Sequence, residues 1–170
     1  MKHLLSAIAL LFAFTAIAQS GNFKKIPAVE IKNLNGQTVT STDVIQNGEA
    51  PIVLSFWATW CKPCVTELNA IKEVYEEWQA ETGVKLIAIS IDDPRNAARV
   101  KPFIKGQMWE YDIYIDENSD LRRAMNVNNI PHTFLLNGKG EVLWQHTGYI
   151  PGDEDKLLTL IRKVAKDGTL

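Results

Sequence analysis

The run Ile52-Val53-Leu54-Ser55-Phe56-Trp57, followed by Cys61-Lys62-Pro63-Cys64 and a long helical pattern, does most to limit the fold. A near-continuous apolar run bounded by turn signals reads as a strand covered on both faces. Lys62 to about Ala80 places Leu68, Ile71, Tyr75 and Trp78 on one stripe, which predicts a helix. Val84 to Ile91 is a second apolar strand. Strand, helix and strand in that order predict a right-handed crossover between parallel neighbours.

The remaining segments extend that unit. Val29-Glu30-Ile31 and Gln37-Thr38-Val39 flank Asn35-Gly36, a turn dipeptide that predicts a small hairpin, and Ser41-Thr42-Asp43 is expected to cap a helical turn. Asp93-Pro94 has the form of an N-cap with proline at the first helical position, opening a segment that Pro102 is expected to interrupt. Asp112 to Ile115 reads as a third strand and Ser119 to Asn126 as a short helix. Phe134-Leu135-Leu136 and Val142-Leu143-Trp144 are joined by Asn137-Gly138-Lys139-Gly140, which is hairpin chemistry. Asp153 to Lys166 predicts a terminal helix with Leu157, Leu160, Ile161 and Val164 on one face. The expected class is α/β, a mixed central sheet with helices on both sides, in one domain over 26–170 without repeats or linkers.

The first residues read differently. Met1-Lys2-His3 is a short positive start, Leu4 to Ala18 is an apolar stretch, and Ala16-Ile17-Ala18 supplies small residues before Gln19. This is the pattern of a secretory signal peptide over 1–18, cleaved after Ala18, with 19–25 as a flexible lead. A retained membrane anchor is the alternative, but the stretch falls short of the about 20 residues that cross a bilayer. Neither cysteine lies near the cleavage site, so lipid attachment there is excluded. The rest is expected to be a soluble, extracytoplasmic or periplasmic protein. A net charge of −2 without a basic cluster argues against nucleic acid as a partner.

The chain has two cysteines, Cys61 and Cys64. In an oxidising compartment a lone pair forms a disulfide, yet this one closes too short a loop to add much stability. Exchange is therefore the better use for it, with a structural bridge or half a zinc site as alternatives. A thiol at the start of a helix faces the positive end of the dipole, where the thiolate is favoured. Cys61 is expected to be the exposed nucleophile with a depressed pKa, and Cys64, one turn on, the less exposed resolving thiol. Lys62 adds positive charge beside them. Glu67 lies three residues after Cys64 on the same side of the helix and borders its buried stripe. Its carboxylate, partly desolvated, can take the Cys64 proton in the resolving step. No Lys or Arg stands at position 71 to pair with it.

Trp60-Cys61-Lys62-Pro63-Cys64 after a strand, Ile130-Pro131 before a later one, and Gly148 after the next resemble the thioredoxin superfamily. The Phe-Trp-Ala-Thr-Trp-Cys run, the N-terminal hairpin with its Asn-Gly turn, and a strand-helix insertion after the first βαβ unit resemble the exported TlpA/ResA-like thiol-disulfide oxidoreductases. The resemblance covers roughly Ile26 to the C-terminus.

It implies a cis Pro131 facing the cysteines, with the Ile130 backbone exposed to pair with an extended substrate, and Trp60 flanking the dithiol. It also implies a proton-handling Glu67 in place of the buried aspartate that cytosolic thioredoxins carry six residues before the first cysteine, where this chain has Ser55. Trp57, Trp78, Trp109 and Trp144 are expected to pack. The resemblance implies protein disulfide clients, such as apocytochrome haem-attachment cysteines or damaged disulfides. It further implies a membrane electron donor that re-reduces the dithiol, a monomeric state and no cofactor.

His132 stands where threonine is common. With Cys61 and Cys64 it suggests an alternative reading, a thioredoxin-fold copper or zinc carrier with two sulfurs and one nitrogen. His146 is expected to be structural. Peroxiredoxins share the fold but need a threonine three residues before the reactive cysteine, and this chain has Ala58 there.

Overall fold

A computed structural model describes residues 25–170. The expected signal peptide at 1–18 and lead residues 19–24 lie outside the described residues. Lys25, the last residue of the expected flexible lead, is instead bridged to Glu141.

The sheet has seven strands. In chain order these are β1 (Glu30–Asn33), β2 (Thr38–Thr40), β3 (Ile52–Trp57), β4 (Lys85–Ser90), β5 (Asp112–Ile115), β6 (His132–Leu136) and β7 (Val142–Thr147). Their spatial order is β2-β1-β5-β4-β3-β6-β7. β3, β4 and β5 are parallel, β1 joins β5 and β6 joins β3 antiparallel, and β2 and β7 pair antiparallel with β1 and β6, so the sheet is mixed as the sequence predicts. The helices are α1 (Ser41–Val44), α2 (Lys62–Thr82), α3 (Ala97–Gln107), α4 (Asp120–Ala124) and α5 (Asp153–Asp167).

β3 is central because its sequence leaves it nowhere else to go. All six residues are buried, and since neighbouring side chains point to opposite faces, both faces are covered. It pairs with β4 on one side and β6 on the other. α2 links β3 to β4, and its buried residues include Leu68, Ile71 and Trp78. The helix ends at Gly83, whose φ of 67° is left-handed and costs a glycine little. α5 packs against α2 and buries Leu157, Ile161 and Val164, with Leu160 partly buried. The β6–β7 turn sits close against the loop that leads into β3: a Cβ on Gly138 would lie 2.3 Å from the Gly48 carbonyl oxygen, which only glycine avoids.

Several local expectations are corrected. The helix after Asp93-Pro94 begins at Ala97, because the Asp93 carboxylate takes the amides of Arg95 and Asn96 and closes a turn first. Pro102 lies inside α3 without interrupting it: buried Val100 and Ile104 anchor both sides of the lost hydrogen bond. α4 is shorter than Ser119 to Asn126, since Ser119 and Asn126 are both left-handed. The buried Asp116 carboxylate caps it by accepting from the amides of Asp120, Leu121 and Arg122. Ser41 does not cap α1 but lies inside it, its hydroxyl donating to Pro27 and accepting from Val29.

Candidate active site

α2 opens where the chain turns out of β3. The Cys61 amide donates to the Ala58 carbonyl at 3.0 Å, closing a turn over Ala58–Cys61. Cys61 is the N-cap of the helix, in extended backbone, and Pro63 occupies the first turn, where a missing N–H costs nothing. The Cys61 Sγ accepts the Cys64 amide at 3.3 Å and is bonded to the Cys64 Sγ, their Cα atoms 5.3 Å apart. The sulfur of Cys61 therefore rests on the Cys64 amide at the open end of a 21-residue helix, where negative charge is stabilised when the bond is reduced.

The expectation of an exposed Cys61 is corrected: the residue is only 5% exposed, against 0% for Cys64. Capping turns its sulfur onto the Cys64 amide instead of outward. Beside it Trp60 is 65% exposed, an apolar surface next to the reacting sulfur. Lys62 is exposed as well, and Trp57, Trp78 and Trp109 are buried while Trp144 is partly buried.

The β3–β6 register brings the proline loop to the same place. Phe56 pairs with His132, so Pro131, one residue earlier, falls beside the chain leaving β3 toward Cys61. The Ile130–Pro131 bond is cis, Ile130 is half-buried, and the Pro131 carbonyl accepts the Gly148 amide at 2.8 Å. That last bond draws the loop after β7, with its 63% exposed Ile150, toward Pro131.

Glu67 is more deeply placed than a residue bordering a stripe. It is 5% exposed, with Oε2 accepting the Ser55 hydroxyl at 3.1 Å and Oε1 the Thr133 hydroxyl at 2.8 Å. Ser55 and Thr133 face each other across the β3–β6 ladder, so the register builds a two-hydroxyl cradle under α2. Burial pushes the Glu67 carboxyl up to about 7, the Thr133 and Ser55 bonds oppose that, and the charge of Asp153 adds to it. Desolvation outweighs two neutral donors here. A carboxyl poised near neutrality one helical turn from a buried thiol is suited to general acid-base work.

His132 is committed elsewhere. Its Nε2 faces the Gln145 Oε1 at 3.1 Å, its Nδ1 faces the Thr147 hydroxyl at 3.2 Å, and its ring stacks on Phe134. Burial lowers its pKa. Among the described residues no three His, Cys, Asp or Glu side chains are grouped to hold a metal ion. His146 stacks on Trp144 and lies 3.7 Å from Asp153. Ala58 contributes a methyl group and its carbonyl to the turn, with no hydroxyl.

Sequence reasoning missed Thr133, Thr59 and Asp92. Thr133 carried a faint signal, a hydroxyl at the start of an apolar strand. Asp92 carried a clearer one: an acid closing the apolar run Leu86 to Ile91, at the carboxyl end of a parallel strand, where α/β sites gather.

Fold and dithiol together define a thioredoxin-like protein-disulfide oxidoreductase. The AhpC/TSA family matches residues 23–145. Thiol-disulfide oxidoreductase ResA of Bacillus thuringiensis subsp. konkukian is 30% identical over 125 residues, 74% of this chain and 69% of the relative. Sporulation thiol-disulfide oxidoreductase A of Bacillus subtilis is 31% identical over 119 residues, 69% of each chain. The solution structure of a thioredoxin-like protein from Porphyromonas gingivalis superimposes with a TM-score of 0.74 at 48% identity, covering 85% of this chain and 94% of that one. The chain belongs to the AhpC/TSA family and, within it, to the TlpA/ResA-like thiol-disulfide oxidoreductases.

The raised Glu67 carboxyl has a thermodynamic signature. The folded oxidised protein binds a proton there more tightly than the unfolded chain, so the stabilising contribution is complete below about pH 4.5 and is lost as pH rises through about 7. At about 1.4 kcal/mol per unit this amounts to about 3 kcal/mol. Urea unfolding of the oxidised protein across that window is expected to show the loss, and Glu67→Gln to abolish it. A wild-type slope retained in Glu67→Gln contradicts the assignment.

Proposed function

We propose that this chain is an exported reductant of protein disulfides, with Cys61 attacking, Cys64 resolving and Glu67 carrying the resolving proton. The observation that carries the reading is the Cys61 sulfur seated on the Cys64 amide at the start of α2. In the reduced protein the Cys61 thiolate attacks one sulfur of a client disulfide, forming a mixed disulfide and expelling the other client sulfur as a thiolate. The Cys64 thiol gives its proton to the Glu67 carboxylate, and the Cys64 thiolate attacks Cys61. That closes the Cys61–Cys64 bond and releases the second client thiolate, which takes up a proton. Two electrons pass from dithiol to client.

Trp60 supplies an apolar rest for the client beside Cys61, and the Ile130 backbone before cis Pro131 pairs with the client's extended segment. Proline at 131 keeps a competing N–H away from the sulfur. The signal pattern at 1–18 supports export, to a periplasmic or other extracytoplasmic space. There the oxidised dithiol needs a membrane electron donor to return it to the thiol form. Disulfides of apocytochrome haem-attachment cysteines or damaged protein disulfides suit such a reductant, which acts as a monomer. With both His132 ring nitrogens engaged, the geometry gives no support to a copper or zinc carrier.

Thiol trapping in intact cells is expected to find Cys61 and Cys64 mostly reduced; a pair permanently oxidised in active cells overturns the direction. Rapid-mixing measurements on Glu67→Gln are expected to show attack by Cys61 unchanged and closure of the mixed disulfide slowed by roughly 10²-fold, the low end of general acid-base contributions. Closure at the wild-type rate with the same pH profile removes Glu67 from the step.

A further inference from the structure

Asp92 is a wholly buried carboxylate that none of these steps uses. It lies two residues beyond β4, and the Ile91 amide donates to the carbonyl of Trp57, the last residue of β3, at 2.9 Å, carrying the pairing one residue past the end of β4. This rung sets Asp92 alongside the turn that leads into Cys61. There Oδ2 accepts the Thr59 amide at 2.9 Å and Oδ1 accepts the Thr59 hydroxyl at 2.6 Å. Oδ2 also accepts the Ser90 hydroxyl at 2.7 Å, and the Ser90 Oγ accepts the Asp92 amide at 3.1 Å.

A buried carboxylate is expensive to desolvate, and this one recovers the cost through three donors, two of them on one residue. Gripping both the amide and the hydroxyl of Thr59 fixes that residue's backbone and its χ1 together. Thr59 is the second residue of the turn closed by the Cys61 amide on Ala58. Its orientation therefore governs where Trp60 and Cys61 point. The Ala58–Cys61 bond ties only the two ends of the turn, so Thr59 is held by its bonds to Asp92, and a sulfur–amide contact of 3.3 Å weakens when the sulfur moves away.

We propose that Asp92 is a positioning residue of the dithiol: acting through Thr59, it holds the Ala58–Cys61 turn in the form that seats the Cys61 sulfur on the Cys64 amide at the start of α2. The assignment rests on Cys61 being the attacking thiol. The negative charge of Asp92 works in the opposite direction, since a carboxylate beside the turn disfavours a thiolate. The two effects separate cleanly, because Thr59→Val removes one bond and leaves the charge, whereas Thr59→Ser keeps the hydroxyl.

The test is the pH profile of iodoacetamide alkylation of the reduced full chain, with the labelled cysteine identified by mass spectrometry and thermal unfolding measured in parallel. Thr59→Val, which leaves the Asp92 charge in place, is expected to raise the Cys61 midpoint by about half a unit to one unit, which leaves about threefold to tenfold less thiolate at a fixed pH below it. Thr59→Ser is expected to keep the wild-type profile. An unmoved midpoint in Thr59→Val overturns the proposal even if unfolding comes at a lower temperature. Label on Cys64 of the wild type contradicts the choice of Cys61 as nucleophile and is distinguishable from any result on Thr59→Val.

Discussion

Everything at the site hangs from β3, a strand whose six residues are all buried and whose backbone is paired on both sides. Moving it would expose apolar surface on two faces at once and unpair two ladders, so its end at Trp57 is a fixed point. The turn from that end delivers Cys61 to the start of α2. The antiparallel partner β6 delivers Pro131 to the same level, and the parallel partner β4 delivers Asp92. Three chain segments remote in sequence thus meet at one end of one strand.

The polar exceptions in this apolar setting mark the chemistry. Ser55 is the one hydroxyl in β3, and across the ladder Thr133 is its counterpart in β6. Both serve the Glu67 carboxylate, which an apolar side chain of similar size would replace at less cost to folding. Two neutral donors hold the carboxyl in place without stabilising its charge enough to undo desolvation, which leaves it near neutrality. Asp92, with two donors from Thr59 and one from Ser90, is tied to the turn, while Glu67 is left able to exchange a proton.

Much of this was legible in the sequence, for local reasons. Asn35-Gly36 and the Gly-rich 137–140 segment specify their hairpins through turn chemistry, and Ile52 to Trp57 specifies a doubly covered strand through composition. Glu67 could be placed near Cys64 by helix spacing alone. What stayed hidden depends on register and on competition between caps. The Ser55–Glu67–Thr133 cradle spans 12 and 66 residues and the Asp92–Thr59 bonds span 33, distances that periodicity does not reach. The start of α3 went to Ala97 because the Asp93 carboxylate closed a turn first. Cys61 read as exposed because spacing shows that it caps the helix but not that capping draws its sulfur inward.

The division of labour between the two sulfurs is the centre of the account, and trapping the covalent intermediate tests it most directly. Reduced Cys64→Ser, incubated with oxidised extracytoplasmic proteins and resolved on non-reducing gels, is predicted to accumulate adducts through Cys61 that dithiothreitol releases, while Cys61→Ser accumulates few. Adducts through Cys64 in Cys61→Ser at equal or greater yield would contradict it.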